Sequence, residues 1–231
     1  MQANKPHTAM ILAAGRGTRM RSLTQDTPKP LLKVAGKPLI VWQIQRLVAA
    51  GIQQIVINHA YLGEQIVAAL GDGTTWGAQI RYSAEPPEAA LDTGGGIRQA
   101  LPLLGEQPFL VVNADVWCTL NYAELALPTN SLAHLVLVPN PAQHPQGDFH
   151  LTPEGRVMTQ NTPRDTYSGI SVLHPDLFQT LSASAFPLAP LLRQAADARH
   201  VTGQLYTGQW SDIGTPERLA TLRSSIIPIA Y

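Results

Sequence analysis

The amino-acid sequence predicts an α/β fold, in which helices flank a mixed and mainly parallel sheet. Short aliphatic or β-branched runs alternate with stretches whose apolar residues recur at helical spacing, an alternation typical of βαβ units. The chain has 231 residues, of which 45% are hydrophobic and 14% are charged, so it can bury one substantial core. We therefore expect a single domain over residues 1–231, with halves of about 1–120 and 121–231.

The first half is predicted to alternate strands with helices. Apolar residues recur at helical spacing in residues 40–48 before Gly51, and again in residues 62–70 before Gly71. Each stretch is therefore predicted to be a helix that ends at its glycine. The aliphatic runs around these stretches are predicted to be strands, at Thr8–Leu12, Gln54–Ile57, Gln79–Ser83 and Phe109–Asn113.

The second half has a weaker pattern, but its last helix has a clear start. Thr215 is a good N-cap and Pro216 suits the first helical position, so a helix is predicted to follow over Glu217–Ser225. Another helix is predicted at Leu188–Ala198. The predicted strands of this half are Ala133–Val138, Gly169–Leu173, Val201–Tyr206 and Trp210–Asp212.

The composition excludes several classes of protein. The formal net charge is zero, which argues against a nucleic-acid binder. The single cysteine, Cys118, excludes an intrachain disulfide and a thiolate zinc cage. No run of about eighteen apolar residues is present to span a membrane, and the polar residues 1–7 lack the apolar centre of a secretion signal. We expect a cytoplasmic protein that contacts neither membrane nor nucleic acid.

A glycine-containing loop, AAGRGTRM, follows the first predicted strand, at the edge where open parallel sheets bind ligands. It is not a Walker motif, because no Gly-Lys-Ser/Thr follows, and Met20 departs from the dinucleotide-binding fingerprint. The small residues 13–15 and Gly17 let backbone N–H groups approach a phosphate. Arg19 and Lys29 can place positive charge on its oxygens. We predict a phosphate-binding loop; the alternative is a plain strand-to-helix turn.

Two aspartates are candidates for a magnesium site. Asp115 follows the buried run FLVVNA, so a strand can deliver its carboxylate to the same edge of the sheet. Asp212 lies between a tryptophan and a Gly-Thr turn, where Thr215 already caps the next helix. Magnesium takes few carboxylates, keeps water ligands and shares phosphate oxygens. The alternative for each aspartate is a turn or capping role.

Three consecutive glycines, Gly94–Gly96, precede a predicted helical run at Ile97–Leu101. Glycines at a helix start cost chain entropy. They are explained if a flat base or a sugar lies against the backbone there, and the alternative is a flexible hinge.

Three separated motifs together resemble the sugar-1-phosphate nucleotidylyltransferases. The motifs are LAAGRGTRMRSLTQDTPKPLLKVAGKPLI, NADV and WSDIGT, and the resemblance extends from Met10 to about Leu219. One departure is Ala114, where many relatives have glycine. The resemblance implies a Rossmann-like, GT-A-like fold of the nucleotide-diphospho-sugar transferases, with nucleotide binding in about 1–120 and a sugar-binding lobe in about 121–231. It also implies in-line attack of a sugar phosphate on the α-phosphorus of a nucleoside triphosphate.

The resemblance assigns roles to individual residues. Arg19 and Lys29 are implied to be catalytic, and Asp115 and Asp212 to hold Mg²⁺. Nucleotide contacts are implied for Leu12, Ala13, Ala14, Gly15, Gly17, Thr18, Arg19, Lys29, Gly94 and Gly95. Sugar contacts are implied for Asn113, Asp148, Ser168 and Gly169.

Within the family, stretches such as GIQQIVINHAYLGEQI and SGISVLHP resemble members that join UTP to N-acetylmuramate α-1-phosphate in peptidoglycan recycling. Those two molecules are therefore the expected substrates. Relatives that use another base or another phosphate acceptor remain an alternative, as does a non-catalytic nucleotide-sensing subunit of the same fold. No β-helix of the kind that some relatives use to trimerise follows the last predicted helix, so we expect a monomer or weak homodimer.

Overall fold

A computed structural model of the chain describes residues 4–181 and 184–226, so both ends of the predicted domain 1–231 lie outside the described residues. Five α-helices occur in the described ranges: α1 (Leu39–Ala49), α2 (Gly63–Leu70), α3 (Asp92–Leu104), α4 (Leu188–Asp197) and α5 (Pro216–Ser225). The strands there are β1 (Thr8–Leu12), β2 (Lys33–Val34), β3 (Lys37–Pro38), β4 (Gln54–His59), β5 (Gln79–Ala84), β6 (Phe109–Asn113), β7 (Val116–Cys118), β8 (Ala133–Val138), β9 (His150–Leu151), β10 (Val157–Met158), β11 (Thr166–Leu173), β12 (Val201–Leu205) and β13 (Trp210–Asp212).

Seven of these strands form one sheet, in the order β12-β8-β11-β6-β1-β4-β5. The pairs β1/β4, β1/β6, β4/β5 and β8/β12 are parallel, and β11 is antiparallel to both of its neighbours. The predicted α/β fold with a mixed, mainly parallel sheet is therefore confirmed. Strands from both halves of the sequence share this sheet.

The two faces of the sheet bury separate apolar clusters, because successive side chains of a strand point to opposite faces. In β1, Ala9 and Ile11 pack into a cluster that includes α1 and α2, whereas Met10 packs into one that includes α3 and α4. Leu110 and Val111 of β6 divide between the faces in the same way. The apolar runs of these central strands account for the clear sequence signal of β1 and β6. In the described ranges, no helix is long and apolar enough to cross a membrane.

A small two-stranded ladder outside the main sheet joins distant parts of the chain. β7 pairs antiparallel with β13, so that Asp212 lies opposite Val116. The N–H of Ile213 donates to the carbonyl oxygen of Asp115 at 2.8 Å. Helix α5 follows, and the Thr215 side chain accepts a hydrogen bond from the Arg218 N–H, which confirms the predicted cap. The ladder therefore brings the backbone of Asp212 next to that of Asp115.

The start of α3 corrects the sequence prediction for the three glycines. The helix begins at Asp92 and includes Gly94–Gly96, which are buried, so they are not an open segment before a helix. The N–H groups of Gly94 and Gly95 donate to the carbonyl oxygen of Phe186 at 3.0 and 3.1 Å. A Cβ at Gly94 would overlap the Phe186 ring, and one at Gly95 would overlap the carbonyl oxygen of Ser184. Close packing of another chain segment explains these glycines.

Substitution of Gly95→Ala is expected to lower the free energy of unfolding by about 1–3 kcal/mol, because the added methyl must displace backbone at Ser184. The better helix propensity of alanine offsets at most about 1 kcal/mol of this loss. Denaturant unfolding followed by circular dichroism measures it. Gly15→Ala is the matched control, since a Cβ there meets no atom within 4 Å. Equal stability of the two variants would contradict this account of Gly95.

Candidate active site

The carboxyl ends of three adjacent strands meet at one edge of the sheet. Leu12 of β1 lies in register with Asn58 of β4 and Asn113 of β6. A cavity of about 350 Å³ opens at this edge. Of the residues predicted to contact nucleotide or metal, those that line it are Leu12, Ala13, Ala14, Gly15, Gly17, Thr18, Arg19, Lys29 and Asp115. We call this space the loop cavity.

The glycine loop is held in a tight, left-handed turn. Gly17 has φ of +65°, and its carbonyl oxygen accepts hydrogen bonds from the Met20 N–H at 2.8 Å and from the Thr24 hydroxyl at 3.0 Å. A Cβ at Gly17 would lie 3.2 Å from Cβ of Lys29. Glycine is therefore required here by backbone conformation and by the close approach of Lys29. Gly15 faces open space, where a ligand can approach its backbone.

Lys29 lies between two prolines and reaches under the loop to Asp115. Its side chain is only 9% exposed, and its Nζ forms an ion pair with Oδ2 of Asp115. The Asp115 side chain is 28% exposed, so this carboxylate faces the cavity while its partner lysine is covered. Lys29 also lines the loop cavity, so its ion pair with Asp115 lies at the cavity wall.

A second cavity, of about 360 Å³, adjoins the loop cavity. Arg19 and Asn113 line both cavities, so they mark the junction. Asp212 lines the second cavity, where its carboxylate forms an ion pair with Arg218 and accepts a hydrogen bond from Nε2 of Gln143 at 3.2 Å. We call this space the lobe cavity, because most of its lining belongs to residues 121–231.

Three of the residues predicted to contact sugar line the lobe cavity: Asn113, Ser168 and Gly169. Gly169 has φ of +80°, and a Cβ there would lie 2.5 Å from Nδ2 of Asn113. The carbonyl oxygen of Ser168 accepts a hydrogen bond from Nε1 of Trp210 at 3.0 Å. Glycine at 169 thus gives Asn113 room at the junction between the cavities.

Asp148, the fourth residue predicted to contact sugar, does not line the lobe cavity. It lines neither cavity, and its carboxylate accepts hydrogen bonds from the Tyr167 N–H at 2.8 Å and from His144 Nε2 at 3.1 Å. The structure therefore gives Asp148 a supporting position behind Tyr167 and His144, which do line the lobe cavity. Burial raises the pKa of the Tyr167 phenol to about 12, so this residue stays neutral in the wall.

Gly94 and Gly95 are also absent from the cavity lining; Asp92 and Thr93 line the loop cavity in their place. The sequence analysis missed a further pair, Asn58 and Glu85. Oδ1 of Asn58 accepts from the Ala13 N–H at 2.9 Å, and its Nδ2 donates to the buried carboxylate of Glu85 at 2.7 Å. A carboxylate directly after a predicted strand was the available signal for Glu85.

The two aspartates supply the ligand chemistry that Mg²⁺ prefers. Across residues 4–181 and 184–226, no three or more His, Cys, Asp or Glu side chains are grouped to hold a metal ion. Magnesium often binds one or two carboxylates and completes its coordination with water and phosphate oxygens. No described residue donates a hydrogen bond to Oδ1 of Asp115, so this oxygen is available as a ligand. The residues present therefore fit Mg²⁺ bound together with a phosphorylated substrate.

The two adjoining cavities, the glycine loop with its basic side chains and the pair of carboxylates define an enzyme that transfers a phosphate-linked group. A family model described as Nucleotidyl transferase matches residues 8–148. The chain belongs to this family, and it is a nucleotidylyltransferase.

Similar proteins cover nearly the whole chain. The N-acetylmuramate alpha-1-phosphate uridylyltransferase of Neisseria meningitidis serogroup B is 52% identical over 219 residues, which cover 91% of this chain and 94% of that protein. The protein of the same name from Caulobacter vibrioides is 35% identical, over 92% of this chain and 93% of that protein. A putative glucose-1-phosphate thymidylyltransferase of Bacillus anthracis has a similar fold, with a TM-score of 0.82 over 97% of each chain at 18% identity.

Proposed function

We propose that this chain is a Mg²⁺-dependent uridylyltransferase, which makes UDP-N-acetylmuramate and pyrophosphate from UTP and N-acetylmuramate α-1-phosphate. The observation that carries the proposal is the pair of adjoining cavities, with Arg19 and Asn113 lining both, Asp115 lining one and Asp212 lining the other. One cavity suits the triphosphate and the other suits the sugar. The names of the two relatives above support the choice of substrates. We further propose that it acts in peptidoglycan recycling, in the cytoplasm, as a monomer or weak homodimer.

The reaction needs no protein nucleophile. A phosphate oxygen of the sugar phosphate attacks the α-phosphorus of UTP, the bond to the β-phosphate oxygen breaks, and pyrophosphate leaves. Catalysis then consists of positioning and charge stabilisation. The backbone at Gly15 and Gly17 receives the triphosphate, and Arg19 donates to the phosphates that become pyrophosphate. Lys29 places its ammonium between the α-phosphate and the attacking phosphate.

Mg²⁺, held by Asp115 and Asp212, would neutralise phosphate charge that the basic side chains do not reach. In the free chain these carboxylates pair with Lys29 and Arg218. Those ion pairs fix the carboxylates before substrate arrives. Preorganisation of this kind lowers the cost of reaching the transition state.

A pyrophosphate-release assay over a substrate panel tests the assignment. UTP, dTTP, GTP and CTP are each combined with N-acetylmuramate 1-phosphate, N-acetylglucosamine 1-phosphate, glucose 1-phosphate and mannose 1-phosphate. We expect the highest kcat/KM for UTP with N-acetylmuramate 1-phosphate, and no turnover when the metal is chelated. A better pair elsewhere in the panel would reject the assigned substrates, and full activity under chelation would reject the metal dependence.

A further inference from the structure

The lobe cavity has a basic residue that the reaction described above does not use. Among the residues that line it, Arg19 and Arg218 are the permanently charged bases, and Asp212 is the acid. Arg19 also lines the loop cavity, where the triphosphate is expected. Arg218 lines only the lobe cavity and a neighbouring recess. Its charge is therefore directed at the acceptor and not at the nucleotide.

The backbone fixes Arg218 in the first turn of α5. Its N–H donates to the Thr215 hydroxyl, which caps the helix, and its side chain is 23% exposed. Nη1 donates to the carboxylate of Asp212 and, at 3.3 Å, to the carbonyl oxygen of the same residue. One corner of the guanidinium is thus occupied by Asp212.

The other edge of the guanidinium is free. Within the described ranges, neither Nε nor Nη2 of Arg218 donates a hydrogen bond to the protein. No buried side-chain donor without a partner occurs among the described residues, so both atoms are exposed to solvent, and Arg218 is one of the residues that line the lobe cavity. Nε–H and one N–H of Nη2 point in the same direction, which is the geometry that receives both oxygens of one carboxylate.

The proposed acceptor carries such a group. N-acetylmuramate is N-acetylglucosamine with a lactic acid ether at O3, so it bears a carboxylate in addition to its 1-phosphate. We propose that Arg218 determines acceptor specificity by binding this carboxylate through Nε and Nη2, while Nη1 keeps its hydrogen bonds to Asp212. This inference rests on the proposed function. It identifies the Arg218 guanidinium as the group by which the chain distinguishes an acidic sugar from a neutral one.

Asp212 has a second partner, which makes the two roles of Arg218 separable. Gln143 donates to its other carboxylate oxygen, so Asp212 keeps an anchor when Arg218 is changed. In Arg218→Lys the positive charge remains, but the two-point contact with a carboxylate is lost. In Arg218→Gln the charge is lost as well. Arg223→Lys, an exposed change on the same helix, is the matched control.

The test compares N-acetylmuramate 1-phosphate with N-acetylglucosamine 1-phosphate at saturating UTP. For Arg218→Lys we expect the ratio of their kcat/KM values to fall about 10- to 100-fold, chiefly through KM of the muramate, and to fall further in Arg218→Gln. Calorimetric Kd values for the two sugar phosphates, measured without UTP or metal, should show the same selective loss. Arg223→Lys should keep the wild-type ratio.

Two results would overturn the inference, and they differ from each other. If kcat/KM falls by the same factor for both acceptors in both Arg218 variants, the residue acts only through Asp212. If the wild-type chain does not turn over the muramate at all, the proposed function fails and the inference fails with it. Thermal melts identify any variant that has not folded, and the remaining Arg218 variant then decides the question.

Discussion

Asp115→Asn and Asp212→Asn are each expected to lower kcat about a thousandfold or more while the fold is kept, because each removes one carboxylate from the proposed metal site. Asparagine has nearly the same shape, and its side-chain oxygen can still accept from the lysine or arginine now paired with the carboxylate. The substitution therefore removes charge with little change in packing. Pyrophosphate release at saturating substrates measures the loss.

The controls separate metal binding from folding. Asp26→Asn changes an exposed carboxylate outside both cavities and should leave kcat within about twofold of wild type. Titration with Mn²⁺, followed by its paramagnetic relaxation in the presence of UTP, should show weaker metal binding in the two site variants. Near-normal turnover in both site variants would remove the two-aspartate metal site.

Lys29→Met is expected to lower kcat by about three orders of magnitude, with a smaller effect on KM for UTP. In the proposed reaction the ammonium lies between the α-phosphate and the attacking phosphate, where negative charge meets as the new bond forms, so its contribution would be largest in the transition state. Methionine keeps the aliphatic stem that packs against Gly17. Asp115 loses its partner but is partly exposed, so water can solvate it.

Steady-state kinetics with varied UTP measure this effect, and Lys33→Met is the matched control. Lys33 lies four residues further along the chain in β2 and is exposed. The control should retain wild-type kinetics. If Lys29→Met raises only KM and leaves kcat unchanged, Lys29 contributes to ground-state binding of the nucleotide and not to the chemical step.

Each of the two candidate metal-binding carboxylates forms an ion pair with a basic side chain in the free site. Lys29 with Asp115, and Arg218 with Asp212, leave the pair of carboxylates neutralised before any substrate or metal is present. In the proposed reaction Lys29 would turn to phosphate oxygens while the metal pairs with Asp115, and Arg218 would keep its contact with Asp212.

Much of the fold was predictable from local sequence. β1, β6, β8 and β13 have the predicted bounds. β11 starts three residues earlier than predicted, at Thr166, because a bulge between Tyr167 and Ser171 breaks its regular pattern. Residues such as Gly17 were predictable for a similar reason: their conformation depends on their own backbone and near neighbours.

The predicted site residues that do not line the two cavities contact distant segments of the chain. Gly94 and Gly95 were assigned to the nucleotide, but their neighbours are Phe186 and Ser184, about ninety residues away along the chain. Asp148 was assigned to the sugar, but its carboxylate is occupied by the backbone of Tyr167. A sequence shows that a position is small or acidic; it does not show which segment packs against it.

The sequence by itself determined the α/β class, and it supplied the predictions of a phosphate-binding loop at Gly15–Arg19 and of metal-binding carboxylates at 115 and 212. Hydrophobic periodicity and short motifs are local properties, so they are visible in the sequence before the fold is known. Only the tertiary structure decided that β13 lies beside β7, which brings Asp212 to Asp115. It also decided that Arg218 lines the lobe cavity with Nε and Nη2 unpaired among the described residues, because that depends on where α5 docks.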